Sequence, residues 1–220
     1  MSLLRAALLA LPILAAACSG ASSEGGDKTP AAADHAAAET GAKADMAMGR
    51  ADAPVTVIEY ASLTCSHCAD FHERILPAIK EKYIDAGKVR LIFREFPTAP
   101  TGLSYVASVL ARCAADKGGA EAYFLVVSSL LKTQQSWISD DAKTELVKLA
   151  AQAGMDEAAF DACMERQDLV DLINANVKYA SEEYKINATP SFVIGGETTG
   201  VRSVEDFEEK LDAALAAAKG

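Results

Sequence analysis

One arrangement constrains this chain more than any other: an apolar strand, a Cys-x-x-Cys where that strand gives way to a helix, and a second apolar strand after it. Pro54-Val55-Thr56-Val57-Ile58-Glu59-Tyr60 is β-branched and apolar enough for a buried strand. Cys65 to Ala86 follows with helical spacing at Phe71, Ile75, Ile79 and Tyr83; Pro77 predicts a kink, and Gly87 ends the helix. Lys88 to Phe96 reads as the second strand. Strand, helix and strand in that order predict a right-handed parallel crossover.

Leu103 to about Tyr184 is then helical in pattern, with breaks at Gly118-Gly119, near Ser136 to Asp140, and at Gly154-Met155-Asp156. Ser139, followed by two acids, has the character of an N-cap. After Thr189-Pro190, Ser191 to Ile194 reads as a short strand, Gly195-Gly196 as a turn and Thr198 to Val201 as the strand's partner. Ser203-Val204-Glu205-Asp206 opens an amphipathic helix to about Ala218. The outline is β-α-β, a helical block, then β-β-α, an α/β chain without internal repeats.

With 220 residues, half of them hydrophobic, the chain can bury one ordinary core or at most two small ones. A formal charge of −10 argues against a nucleic-acid partner, which would require a basic face, and against non-specific binding to anionic membranes. Met1 to Ala17 has the form of a secretory signal: Arg5, then an apolar run too short to span a bilayer. Ala15-Ala16-Ala17-Cys18 resembles a lipoprotein cleavage box, which makes Cys18 a candidate for lipidation, although Ala15-x-Ala17 also suits ordinary signal peptidase. Ser19 to Arg50 holds no Val, Ile, Leu or aromatic residue, so residues 18–50 are expected to be a disordered tether.

Cys65-Ser66-His67-Cys68 carries the chemistry. A Cys-x-x-Cys at a helix N-terminus sets its first sulfur beside unpaired N–H groups and the positive end of the helix dipole, which favours thiolate. Cys65 is therefore the expected nucleophile and Cys68 the resolving thiol. His67 can add charge or a hydrogen bond that favours the reduced form. The alternatives are a structural bridge or half of a zinc site; the second would need two more ligands, and no second Cys-x-x-Cys or His-x-x-x-His exists. His72 is expected to face solvent on the helix. No metal and no cofactor are called for.

The strand, the Cys-Ser-His-Cys, the Thr-Pro before a late strand, the helical insertion and the export signal together resemble a DsbA-type thiol-disulfide oxidoreductase of the bacterial periplasm. The resemblance runs from about Gly49 to the C-terminus. It implies a thioredoxin fold, residues 51–100 and 186–220, with an all-helical subdomain inserted at 101–185. It also implies that Cys65 attacks, Cys68 is buried, Ser66 and His67 tune the potential, and Thr189 with a cis Pro190 forms the substrate-binding loop. Glu59, six residues before Cys65, matches a buried acid that exchanges a proton with Cys68; the other reading puts it in solvent at a strand edge. Ser66 stands where family oxidases often carry Pro, and Thr189 occurs both in disulfide isomerases and in some oxidases of the family, which leaves the oxidase assignment open.

Cysteine arithmetic in an oxidising compartment pairs Cys113 with Cys163 as a structural bridge, the alternative being two buried thiols. Trp137, the sole tryptophan, would report on the redox pair if it lay nearby. The expected activity is that of an oxidase passing the Cys65–Cys68 disulfide to reduced or misoxidised exported proteins and reoxidised by a quinone-linked membrane partner. The chain is expected to act as a monomer in the periplasm, with or without a lipid tether. The competing readings are a reductase or isomerase kept reduced by a membrane donor, and a lipid-anchored binding protein or chaperone.

Overall fold

The computed structural model describes residues 41–219; the segment read as a signal, the candidate Cys18 and the expected tether up to residue 40 lie outside them. A five-stranded sheet runs in the order β1 (Met46–Met48), β3 (Val89–Glu95), β2 (Val55–Ala61), β4 (Ser191–Ile194), β5 (Glu197–Thr199). Strands β2 (Val55–Ala61) and β3 (Val89–Glu95) are parallel, with Val57 opposite Leu91 and Glu59 opposite Phe93. Between them the chain forms α1 (Ser66–Arg74), α2 (Leu76–Ile79) and a π-helical turn, Lys80–Ile84. The break at Ile75 sits two residues ahead of Pro77, which lacks the N–H that a continuous helix would need there.

Side chains alternate across β2 and β3, and both faces are covered. Val55, Val57, Val89 and Leu91 pack beneath α1, α2 and α8 (Val204–Ala217), together with Phe71, Phe192 and Phe207. Ile58, Tyr60, Ile92 and Phe96 face Ala180 and Ile186, at the end of α7 (Gln167–Glu183) and just beyond it. A two-sided sheet of this kind favours apolar runs in its strands, as in Val55–Ala61 apart from Thr56 and Glu59 and in Leu91-Ile92-Phe93 of the second segment.

The helical block comprises α3 (Thr101–Lys132), α4 (Gln134–Trp137), α5 (Ala142–Gln152), α6 (Glu157–Met164) and α7. Gly119 interrupts α3 at φ 61°, ψ −155°, a conformation that costs glycine little. Cys113 on α3 and Cys163 on α6 form a disulfide. The core of this block is continuous with the sheet, since Cys68 and Phe93 belong to the same buried cluster as Trp137, Leu146 and Ile173. Strands β4 (Ser191–Ile194) and β5 (Glu197–Thr199) form a hairpin. Its turn, Gly195-Gly196, has positive φ at both positions, as a two-residue hairpin loop favours. Ser203 caps α8 by accepting from Asp206 N. Ser139 does not cap α5; its hydroxyl donates to Ser136 O, and Asp141 takes the cap position.

The expected tether is corrected at its C-terminal end. Residues 41–50 are folded: a 3-10 turn, Gly41–Lys43, leads into β1 (Met46–Met48), which pairs antiparallel with the outer edge of β3. Ala42 and Met46 are buried in the main core. Composition misses this because an edge strand can take its hydrogen bonds from an existing neighbour, so three residues without β-branching suffice. Buried charge fixes the segment as well. Arg112 donates from Nη1 to Ala42 O and Ala44 O while gripping Glu95 in a two-pronged pair at 2.7 Å, and Arg94 reaches Asp45.

Candidate active site

Cys65 is the N-cap of α1, and its extended backbone (φ −84°, ψ 120°) turns the chain from the β2 loop into the helix. Four hydroxyl contacts brace that loop. Ser62 Oγ meets Ser104 Oγ at 2.9 Å and Thr64 Oγ1 at 3.0 Å and accepts from Thr98 N, while Thr64 donates to Thr98 O at 3.1 Å. From the helical block, Gln134 Nε2 donates to Leu63 O at 2.8 Å and to Cys65 O at 3.0 Å. Gln134 lies about 70 residues from its partners, in a segment with no motif, and no sequence signal could have singled it out.

The two thiols are free and lie in opposite environments. Cys65 is half-exposed; Cys68 is buried, with no accessible surface. The Cys65 pKa falls to about 5, chiefly because the Cys68 thiol donates to its sulfur. Partial burial opposes the fall, and the Thr189 side chain and the backbone N–H groups of Cys68 and His67 add to it. As a thiol, Cys65 Sγ donates to Thr189 O at 3.4 Å. Cys68 is pushed well above the ordinary thiol range by burial first, then by its bond to Cys65 and by the charges of Cys65 and Glu59. A thiolate for attack is thus set against a thiol that keeps its proton. Ser66 and His67 are both exposed, and His67 acts on the sulfur through its backbone N–H.

The Thr189–Pro190 bond is cis, and the loop lies against Cys65. Glu59 is buried in the central strand, with Phe93 and Phe192 opposite it on the two neighbouring strands. The expectation for His72 is corrected: it turns inward, and Nε2 lies 3.0 and 3.1 Å from the two Glu59 oxygens, its side chain 9% exposed. The physical reason is that a buried carboxylate needs a partner, and the position one turn after Cys68 on α1 is the one that faces it. Trp137 is buried in α4, the same short helix as Gln134, and donates to Leu130 O.

Fold and site define a thioredoxin-fold protein: a Cys-x-x-Cys opening the first helix after the central strand, faced by a cis-proline loop. Residues 41–213 match the family model described as thioredoxin, and the chain belongs to that family, in its DsbA-like branch. The crystal structure of Wolbachia pipientis alpha-DsbA1 superposes with a TM-score of 0.72 at 31% identity, over 80% of this chain and 92% of that one. A Rickettsia bellii protein named "Putative protein-disulfide oxidoreductase" is 32% identical over 176 residues, 80% of this chain and 66% of that protein. A Bacillus cereus protein named "Probable disulfide bond formation protein D" is 27% identical over 153 residues, 68% of this chain and 69% of that one. The chain spans 60 to 66% of the length of the Rickettsia relatives it matches. Among the described residues no helix is long and apolar enough to cross a membrane.

Proposed function

We propose that this chain is an exported protein thiol-disulfide oxidoreductase working as an oxidase, donating the Cys65–Cys68 disulfide to reduced exported proteins. The observation that carries the reading is the division between the two thiols: Cys65 brought to about 5, Cys68 held far above it. Stabilising the Cys65 thiolate stabilises the reduced enzyme, which makes its disulfide the stronger oxidant. The names of the relatives support the reaction class, and the export-like N-terminus with the Cys113–Cys163 bridge supports an oxidising compartment, the periplasm.

In the reaction a substrate thiolate attacks Cys65 Sγ of the oxidised enzyme, Cys68 leaves as thiolate and takes up a proton, and a mixed disulfide forms. A second substrate thiolate then attacks the substrate sulfur of that bond. The substrate leaves oxidised and the enzyme leaves as a dithiol. A quinone-linked membrane partner would accept the two electrons. Thr189 and Pro190 line the entry to Cys65 and are the proposed contact for the substrate backbone; Cys18 is the proposed attachment point if the chain is held by lipid.

The test is equilibration in glutathione buffers with trapping of free thiols. Potentials in this superfamily run from about −270 mV for thioredoxin to about −120 mV for DsbA. A value towards the upper end bears out an oxidase; one near or below that of thioredoxin overturns it in favour of a reductase.

A further inference from the structure

Behind the nucleophile the Glu59 charge reaches the Cys68 thiol, and His72 meets the same carboxylate. Cys68 and His72 stand four residues apart and so share one face of α1, and Glu59 rises from β2 to meet that face. Phe71 and Phe93 pack edge-to-face with the imidazole, their ring centroids 5.5 and 5.8 Å from its own, and Phe192 lies beside Glu59 on β4. Cys68 and Glu59 have no accessible surface, so of the three groups His72 alone reaches solvent. Nε2 addresses both carboxylate oxygens, a geometry that fixes the carboxylate's orientation.

We propose that His72 is the positioning residue through which Glu59 loses and regains its proton, so that the thiol proton of Cys68 leaves the buried site by way of the imidazole. The inference rests on the thiol-disulfide exchange proposed above and adds the proton route that exchange requires. Reoxidation by a partner's disulfide shows the balance. Cys65 thiolate attacks one partner sulfur, forming a mixed disulfide and expelling the other as thiolate. Cys68 then gives its proton to the Glu59 carboxylate, and its sulfur attacks Cys65 Sγ, closing the Cys65–Cys68 bond and releasing the partner's remaining sulfur as thiolate. The enzyme loses two electrons and the partner disulfide gains them. With the imidazole in its Nδ1–H tautomer, Glu59 passes the proton to the free Nε2, and the ring releases its Nδ1 proton to water, ending as the Nε2–H tautomer that donates to the carboxylate. Reduction of the enzyme runs the same path backwards.

The groups that face this pair support the assignment. From α1 comes Cys68. From α3 comes Tyr123, which feels the Glu59 charge; its hydroxyl donates to Glu95 at 2.6 Å, and burial keeps it a neutral phenol. Glu95 is in turn held by Arg112. Strands β3 and β4 contribute the apolar rings of Phe93 and Phe192. Among these groups, His72 is the one placed to take a proton from Glu59.

The test uses the full chain, reduced, with oxidised glutathione as the oxidant, and follows the lifetime of the Cys65–glutathione adduct by acid quench and mass spectrometry from pH 5 to 8. His72→Gln, which keeps a polar group but cannot titrate, is expected to lengthen that lifetime about tenfold or more at pH 7 and to flatten its pH dependence. The pH midpoint of Cys65 alkylation should stay near its wild-type value. In a Glu59→Gln background the same substitution should add nothing, because the two groups act in series. A wild-type adduct lifetime and pH profile in His72→Gln, or effects that multiply in the double variant, would overturn the proposal. Should His72→Gln fail to fold, His72→Asn takes its place under the same two outcomes. A wild-type chain that never closes the Cys65–Cys68 bond would instead sink the oxidoreductase reading itself; normal closure with an indifferent His72 sinks only the proton route.

Discussion

Gln134 Nε2 donates to the carbonyl of Cys65 at 3.0 Å and to that of Leu63 at 2.8 Å, so a side chain of the helical insertion holds the backbone of the redox loop. Removing it leaves two carbonyls without that donor. Gln134→Ala is expected to destabilise by about 1–2 kcal/mol, read as the urea midpoint, and to loosen Cys65 enough to alter its alkylation rate at fixed pH. Gln134→Glu should be worse, since a carboxylate offers no donor to either oxygen.

Cys65 titration follows from its surroundings. In the reduced protein, iodoacetamide reactivity should rise with a midpoint near pH 5. The Cys68 thiol is the largest cause of that low value, so Cys68→Ala should move the midpoint upward, towards the ordinary thiol range. The sign for stability follows from a folded pKa below the unfolded one. The contribution of Cys65 to the stability of the reduced form is present in full above the ordinary thiol value of 9.0, is lost progressively as pH falls, and is gone below about 5. Unfolding of reduced and oxidised protein at pH 8 and pH 5 checks this; an equal gap at both values would count against it.

The Cys113–Cys163 bridge spans a sequence separation of 50 and ties α3 to α6. Its loss in Cys113→Ala/Cys163→Ala should lower stability by up to about 4 kcal/mol in the chain-entropy model, measured by chemical denaturation.

Arg112 is buried, paired in two-pronged fashion with Glu95, and donates to Ala42 O and Ala44 O. Arg112→Ala leaves Glu95 buried without its cationic partner, and the expected cost is about 3–5 kcal/mol. A chain beginning at residue 51 strips Arg112 of its two carbonyl partners and β3 of its edge neighbour, so it should melt well below one beginning at residue 41. Equal melting temperatures would mean that β1 adds nothing to the fold.

The sequence by itself determined the parts whose cause is local. The apolar, β-branched character of Val55–Ala61, the apolar run in Val89–Glu95, the pairing of Cys65 with Cys68 at a helix start, the Gly195-Gly196 turn and the Ser203 cap are all decided within a few residues, by backbone conformation and by which side chains can be buried. Tertiary structure decided whatever depends on a distant partner. Met46–Met48 becomes a strand because β3 has an open edge, and the preceding turn is held because Arg112 supplies donors to it. His72, which in the sequence is a polar residue on a helix, turns inward because Glu59, 13 residues earlier and on another element, is buried and needs a partner. Gln134 reaches Cys65 only because the insertion packs back over the redox loop. A hydrogen bond or ion pair between elements leaves no periodic trace in the chain, so these relationships appear only once the fold brings their members together.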